Sequence, residues 1–389
     1  MQISIIGNCA SSNYTGIGGV SIHVFRLGSI LFGKQQLNRV YNTIYVQRKE
    51  LNRNQFAYSK KDIQHFYNTK NASWVSLLPS FKNAHLNMIV WFFRYILFDR
   101  AKILHVHNEL PFCYLFFLLH RIFKKQLVFT IHDQMNLVKV INSKNGEYYF
   151  LKLLIKNKMI KWIAVNETIS KQLILLGVDA SNVEVIPAYL PANETGFELS
   201  SELKQYFESH TPNMFFYAFG IKQLNGLDLY GLDMALESIK YLKEDYPKIG
   251  LFLLVPDADK DPNIGKYLDF VSEHKLQYNI KFHFEVIPDL NVICDKSEIY
   301  LRPTCSDGDS LTVREALHKN IKVLVSDVVE RPANCILFKN RDVLDMVRVL
   351  NETIQSLDKG KEVKPEESVD FLNKILKIYS GFNKLTQAS

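Results

Sequence analysis

The sequence is short of the features that announce a disulfide framework, a zinc module or a membrane span. Its five cysteines (Cys9, Cys113, Cys294, Cys305 and Cys335) are scattered over 389 residues with no C-x-x-C pair. That spacing argues against both a zinc site and a disulfide scaffold, and it fits a reducing compartment. No apolar run offers the roughly 20 residues that a spanning helix needs. "MIVWFFRYILF" (88–98) is interrupted by Arg94, and "LPFCYLFFLLHRIF" (110–123) is too short. The start, "MQISIIGN", lacks the basic segment, apolar core and cleavage site of a signal peptide and reads as a first strand. No G-x-G-x-x-G follows it, so the dinucleotide fingerprint is absent. Internal repeats and low-complexity tracts are also missing. Acidic residues are scarce in one half: residues 1–190 hold 23 Lys+Arg and 9 Asp+Glu (+14), the remaining 199 hold 24 and 31 (−7). Such asymmetry points to a first half that faces a polyanion or an anionic membrane.

What is present is an ordinary globular balance, 47% hydrophobic and 22% charged, in a chain long enough for two domains. Short apolar runs alternate with helix-like patterns, the mark of parallel α/β folds. "QISIIG" (2–7), "AKILHVH" (101–107), "KQLVFTIHD" (125–133), "KWIAVN" (161–166) and "VEVIPA" (183–188) read as strands, with a helix over 19–33. The pattern restarts at "NMFFYAFG" (213–220) and continues with strands "GLFLLVP", "IKFHFEV", "EIYLRPT" and "KVLVSD". Helices are expected at about 231–247, 262–275, 310–319, 341–357 and 366–380. The polar stretch 191–213 reads as the boundary. The expected division is 1–190, 191–370, and a C-terminal helix and tail (371–389) packing back on the first domain. Two doubly wound domains facing each other across a cleft is the expected architecture, with polar strand ends gathered where open α/β sheets bind ligands.

Three places carry candidate chemistry. "SSNYTGIGGVSIHV" (11–24) puts Gly18 and Gly19 at a helix start, where backbone N–H groups approach an anion closely, or form only a surface turn. "LHVHNE" and "FTIHDQ" put histidines at strand ends. H-x-H alone is a weak metal signal. His132 is the better ligand contact, with Asp133 placed to fix its tautomer. In "RPTCSDGDSLTVREAL", Asp307 and Asp309 suit either a metal ion or a phosphate-binding helix start. Asp309 or Ser310 is the expected N-cap, and the free N–H groups of Ser310, Leu311 and Thr312 would hold an anion. Asp307 and Glu315, eight apart, would face one ligand and accept hydrogen bonds from sugar and ribose hydroxyls.

That last stretch resembles the C-terminal signature of glycosyltransferase family 4, retaining enzymes of GT-B fold, usually "EGFGLPVLEA" with Glu-x7-Glu. Here Asp307 stands for the first Glu and Glu315 for the second. "GIGGVSIHV", "ILHVH", "TIHD", "VNETISKQLILLGVDASNVEVIPA" and "LYGLDMALESI" resemble the family's other motifs, in order. The resemblance implies transfer from a nucleotide-diphosphate sugar without a metal or other cofactor. Glu315 would hold the ribose, while Asp307 and His132 would hold the donor sugar. Gly18, Gly19 and the Ser310–Thr312 amides would hold the diphosphate. A D-x-D metal motif belongs to the other glycosyltransferase architecture, where it follows a strand near the middle of the nucleotide-binding half, so the phosphate reading of Asp307 and Asp309 is preferred. Two departures stand out. The usual Arg after the strand-end Gly and the Lys before "GLD" are Ile221 and Tyr230, leaving Lys222 or Arg302 to supply the charge. Tyr230 offers one hydrogen bond and no charge.

The resemblance implies that the first, basic half takes the acceptor. Lys152, Lys156, Lys158 and Lys161 sit among apolar residues in 151–162, and Arg121, Lys124 and Lys125 lie close by in sequence. Such segments adhere to anionic membranes, or pack as a helix with snorkelling lysines. The expectation is a cytoplasmic protein, peripheral on the inner membrane face. It would act on a polyprenyl-diphosphate-linked glycan or polysaccharide in capsule or O-antigen assembly. An impaired GT-B partner protein and a nucleotide-sugar epimerase are the alternatives. No nucleic-acid-binding motif accompanies the positive charge.

Overall fold

A computed structural model describes residues 2–7, 19–42, 73–77, 84–108, 110–132, 134–190, 197–256, 258–287, 289–357 and 371–387. The chain divides into two compact units, one running to Leu190 and taking in the last helix, the other built from the residues between them. Gly18 and Asp133 lie outside the described residues.

The first unit contains β1 (Ile3–Gly7), α1 (Gly19–Gly33), β2 (Leu37–Asn42), β3 (Val75–Leu77), α2 (Ala84–Phe98), β4 (Ile103–His107), α3 (Cys113–Arg121), β5 (Gln126–Ile131), α4 (Gln134–Ser143), α5 (Gly146–Ile155), β6 (Lys161–Ala164), α6 (Glu167–Leu175) and β7 (Val183–Val185). Its sheet is parallel throughout, in the order β3-β2-β1-β4-β5-β6-β7. The apolar runs explain this: β1 and β4 are buried along their whole length, as strands covered on both faces must be. Phe129 stacks on Trp162 at 4.8 Å within the core. Asn145 and Asn166 cap α5 and α6 by accepting from Tyr148 and Ile169 amides, which fixes where each helix begins. The last helix (Phe371–Gln387) buries Phe371, Ile375, Tyr379 and Phe382, a stripe at helical spacing.

The second unit contains α7 (Ser201–Ser209), β8 (Asn213–Tyr217), β9 (Gln223–Leu224), β10 (Leu227–Asp228), α8 (Leu232–Leu242), β11 (Gly250–Leu254), α9 (Ile264–Glu273), β12 (Ile280–His283), α10 (Asn291–Cys294), β13 (Ile299–Arg302), α11 (Leu311–His318), β14 (Lys322–Ser326), β15 (Ile336–Phe338) and α12 (Val343–Leu357). Its main sheet runs β12-β11-β8-β13-β14-β15, parallel throughout. Numbered within the unit, that is 3-2-1-4-5-6, the order of the dinucleotide-binding α/β fold, and the first sheet extends the same order by one strand. Each sheet therefore has a switch point, between β1 and β4 and between β8 and β13, where connections leave in opposite directions and open a crevice at the strand ends.

Two differences from the sequence expectation are informative. The polar stretch 191–213 contains α7, capped by Ser200 and holding Leu203 and Phe207 in the core. Two apolar residues four apart suffice to dock a helix whose other positions are polar. The segment 151–162 is not one amphipathic helix: α5 ends at Ile155 and β6 begins at Lys161. Leu151, Leu154, Ile155 and Ile160 are buried, while Lys152, Lys156 and Lys158 are exposed.

Candidate functional site

In the second unit, β13 delivers Arg302 to the switch point, and "PTCSDGD" then turns before α11. Arg302 is buried; its Nε and Nη2 donate to Asp307 Oδ2 and Oδ1 at 3.1 and 3.2 Å, and Nη1 donates to the Tyr217 carbonyl at 3.2 Å. A second guanidinium arrives from the loop after β14. Arg331 Nη1 donates to Asp307 Oδ2 at 2.8 Å, while its Nε and Nη2 hold the Ser326 carbonyl and hydroxyl. Burial alone would push the Asp307 carboxyl up, but Arg302 and Arg331 outweigh it and hold it below the usual carboxylate range. Burial likewise opposes the charge on Arg302, and Asp307 more than restores it. Asp309 has its own partner, Arg314 Nε at 2.6 Å. Neither carboxylate of "DGD" belongs to a group placed to ligate a metal among the described residues.

Ser310 caps α11, accepting from the Val313 amide at 3.5 Å. The amides of Leu311 and Thr312 lie at the positive end of the helix. Glu315, one turn inside, is 3% exposed. Tyr230 occupies the loop before α8, and the Arg302 guanidinium lies over its ring, 5.1 Å from the centroid. The two loops are tied together: Thr304 Oγ1 and the Cys305 amide both donate to the Leu229 carbonyl, at 2.5 and 3.0 Å. Gly231 makes that approach feasible. It has φ +76°, and a Cβ there would stand 2.1 Å from the Pro303 carbonyl oxygen. Asp228 fastens the turn by accepting from the Tyr230 and Gly231 amides and from Tyr267 Oη. Lys222 lies over the Phe219 ring at 4.7 Å, and burial lowers its pKa.

In the first unit, the switch point is lined with imidazoles. His107 ends β4, and its Nδ1 is 2.9 Å from Nε2 of His132, which follows β5. His23 on α1 bonds the Ala188 carbonyl through Nδ1 at 2.8 Å, so its Nε2 carries a lone pair. His105 is held on both sides, by Tyr379 Oη at 2.6 Å and Thr130 Oγ1 at 2.7 Å. Burial lowers the pKa of all four: His23 falls to about 4, helped by Arg26 and opposed by the Ala188 bond, and the others fall well below the usual value. The cluster is neutral at pH 7. Asn108, at φ +57°, accepts from the His132 amide at 2.9 Å and fixes the turn. Gly7 allows β1 to lie against this site; a Cβ there would be 2.9 Å from the His107 Cβ. His23, His107 and His132 form the one group of three among the described residues able to offer ligands to a metal, with ring nitrogens within 4.8 Å of each other.

Of the expected residues, Arg302, Asp307, Asp309, Ser310, Leu311, Thr312, Glu315 and Tyr230 gather at the second switch point. His132 lies at the first, and Gly19 begins α1. Lys222 sits on its own loop against Phe219, and Arg302 is directed at Asp307. Arg331 was missed. It lies in a loop five residues past a strand, where the only sequence signal is a basic residue at the carboxyl edge. His23 was missed because a histidine inside an apolar helix pattern reads as core.

No family model and no curated protein matches the chain. Solved structures do. A sucrose-phosphate synthase from Thermosynechococcus elongatus superposes with a TM-score of 0.67 at 12% identity, over 100% of both chains. The Anabaena protein HepE, solved with UDP and glucose, gives 0.65 at 12% identity, again over 100% of both. A glycosyltransferase from Rickettsia africae gives 0.69 at 14%, over 98% of this chain and 99% of its own. The chain has the GT-B fold. At such identities the likeness speaks for the GT-B arrangement of strands and helices and leaves the chemistry to the side chains.

Proposed function

We propose that the chain is a retaining glycosyltransferase that takes a sugar from a nucleotide-diphosphate donor without a metal. One observation carries the reading: a capped helix start with buried Glu315 one turn inside, at the switch point of the second unit. The Ser310–Thr312 end suits the diphosphate and Glu315 the ribose hydroxyls. The UDP and UDP-glucose held by HepE agree with a nucleotide-sugar ligand for this fold. His132, kept neutral by burial, is suited to contacting the donor sugar near the reacting carbon. Retention follows from the family resemblance, with leaving phosphate oxygen deprotonating the acceptor on the same face. A partner protein that has lost turnover is the second reading, motivated by Ile221 and Tyr230; donor hydrolysis or transfer separates the two.

The direct test is thermal unfolding with UDP, GDP, dTDP, CMP and their sugars in EDTA. At 100 times its dissociation constant a ligand adds about 2.7 kcal/mol. One nucleotide is expected to raise the melting temperature, and Glu315→Gln to reduce that rise. No shift with any nucleotide overturns the donor reading, and a shift only with added Mn²⁺ overturns metal independence.

The acceptor is proposed to be a polyprenyl-diphosphate-linked glycan of capsule or O-antigen type, met at the cytoplasmic membrane face. No described helix is long and apolar enough to cross a membrane. A surface on the first unit supports peripheral attachment: Phe93, Leu97 and Phe98 on α2 and Ile122 and Phe123 after α3 are exposed, and Phe92 meets Phe123 between them. Arg100, Lys102, Arg121 and Lys124 are exposed alongside them in sequence, each worth about 1 kcal/mol near anionic lipid. Flotation with phosphatidylserine vesicles is expected at low salt; protein left at the bottom of the gradient overturns the membrane reading.

A further inference from the structure

The four imidazoles of the first unit are not equivalent. His105 is held at both ring nitrogens, by Tyr379 and Thr130. The other three face one another. The ring centroids of His23, His107 and His132 stand 5.4, 5.2 and 5.3 Å apart, a nearly equilateral triangle. These residues are 2, 1 and 8% exposed, so His132 is the outermost. Inside the cluster, Nε2 of His23 and Nε2 of His107 are buried with no partner among the described residues. Buried polar atoms left unbonded are rare in folded proteins, and two in one cluster call for a further group.

The arrangement fits a metal ion. His23 donates Nδ1–H to the Ala188 carbonyl at 2.8 Å, which fixes the ring and leaves the Nε2 lone pair outward; metal-bound histidines are habitually anchored in this way. With Zn–N bonds of about 2.0–2.1 Å and tetrahedral angles, three imidazoles set their centroids about 5 Å apart. His107 Nδ1 and His132 Nε2, now 2.9 Å apart across one proton, need separate only to about 3.3 Å, with both rings turned toward the ion. The proton between them passes to the far nitrogen of the ring that carries it, so all three ligands stay neutral. A ligand set made of imidazole alone selects zinc-class ions over magnesium, calcium or manganese. The cation nearest in sequence, Arg26, gives Nη1 to the Leu190 carbonyl at 2.9 Å.

We propose that the first unit binds one transition-metal ion of the zinc class at His23, His107 and His132, leaving its fourth position open. The ion is an inhibitor of transfer and not a cofactor for it. His132 cannot serve the ion and a donor sugar at once, so a loaded site withholds the contact that transfer uses. That consequence rests on the donor reading; the metal site itself stands on the three rings.

The whole chain, stripped with EDTA and dialysed, is titrated with Co²⁺ followed by visible absorption, and with Zn²⁺ by calorimetry. One ion per chain is expected, with the intense bands of four-coordinate cobalt, bleached when Zn²⁺ displaces it, and no uptake of Mg²⁺. His23→Gln and His132→Gln are each expected to weaken binding at least about a hundredfold; two variants are used so that one serves if the other misfolds. His318→Gln, exposed at the end of α11, is expected to change nothing. Binding that is absent, or that survives both histidine variants, overturns the site. Protein loaded with Zn²⁺ and freed of excess metal is then titrated with the nucleotide sugar that the metal-free protein prefers and with its parent nucleoside diphosphate. Affinity for the sugar form is expected to fall at least about tenfold, and that for the diphosphate less. Equal affinities with and without Zn²⁺ overturn the inhibition and leave the metal site. A protein that binds Co²⁺ through these histidines but takes no nucleotide keeps the metal site and overturns the donor reading.

Discussion

Around β1 and β4 the first unit gathers four buried imidazoles, from α1, β4 and the end of β5, all kept neutral by desolvation. Around β8 and β13 the second unit carries buried guanidinium groups paired with carboxylates. The strand order is the same, and so is the position of the crevice each order creates. The difference lies in how each unit meets the cost of burying polar groups. Neutral rings call for hydrogen bonds alone: Ala188, Thr130 and Tyr379 supply three and His107 bonds His132, while Nε2 of His23 and of His107 are buried with no partner among the described residues. Charges need countercharges, and the second unit fixes its own in pairs on adjoining strand ends. Topology sets where a ligand is met, and these side chains set which ligand it is.

The harshest way to break the comparison is to add one methyl group at each edge. Gly231→Ala forces a left-handed residue and a Cβ 2.1 Å from the Pro303 oxygen, at the contact that holds the Tyr230 loop to the Arg302 strand. A loss of about 3 kcal/mol or more is expected, since both strain and overlap must be relieved. Gly7→Ala brings a Cβ to 2.9 Å from the His107 Cβ without the conformational strain, so about 1–3 kcal/mol is expected. Equilibrium unfolding in urea measures both. A Gly231→Ala protein as stable as wild type would show that the two loops are not held as described.

Much of this arrangement is legible in the sequence, and the parts that are not have physical reasons. Strands such as "ILHVH" and "KVLVS" announce themselves because a doubly covered strand is mostly apolar, its few polar residues being buried site groups or strand ends, and α1 matches its expected span of 19–33. The strands β3 and β15 have three residues each and β9 and β10 two, too few for any periodicity to emerge. Helix α7 hid in polar sequence because only Leu203 and Phe207 face the core. At the site, Asp307, Ser310 and Glu315 were visible because a loop, a cap and a helix fall within nine residues. Arg331 was not, because its partner lies 24 residues away and only the fold joins them. The lysines of 151–162 suggested a membrane surface, but Leu151, Leu154, Ile155, Ile160 and Trp162 among them are buried in the core. The exposed apolar residues are on α2 and the turn after α3, which precede strands and so lie at the opposite sheet edge from His107 and His132.

A gentler way to sharpen the comparison is acid, because the two units should respond in different windows. A histidine in the unfolded chain takes up a proton near pH 6.5, whereas His23 does so near pH 4 and His105, His107 and His132 well below their usual value. Between pH 6.5 and 4 the unfolded state therefore binds more protons, so stability rises with pH across this window and falls on acidification. His23 alone accounts for about 3 kcal/mol lost by pH 4. Asp307 behaves later. Its folded pKa is depressed, so its contribution is complete above the unfolded carboxylate value of about 3.9 and disappears only as pH drops through the lower folded value. Hydrogen exchange, corrected for its intrinsic pH dependence, is expected to show β4 and β5 losing protection between pH 6.5 and 4 while β13 and α11 keep theirs. His23→Asn, which cannot titrate, should flatten the first unit's response and leave the second unchanged. Simultaneous loss in both units over the same pH range, unaltered by His23→Asn, would mean that the imidazoles do not set the acid limit of the first unit.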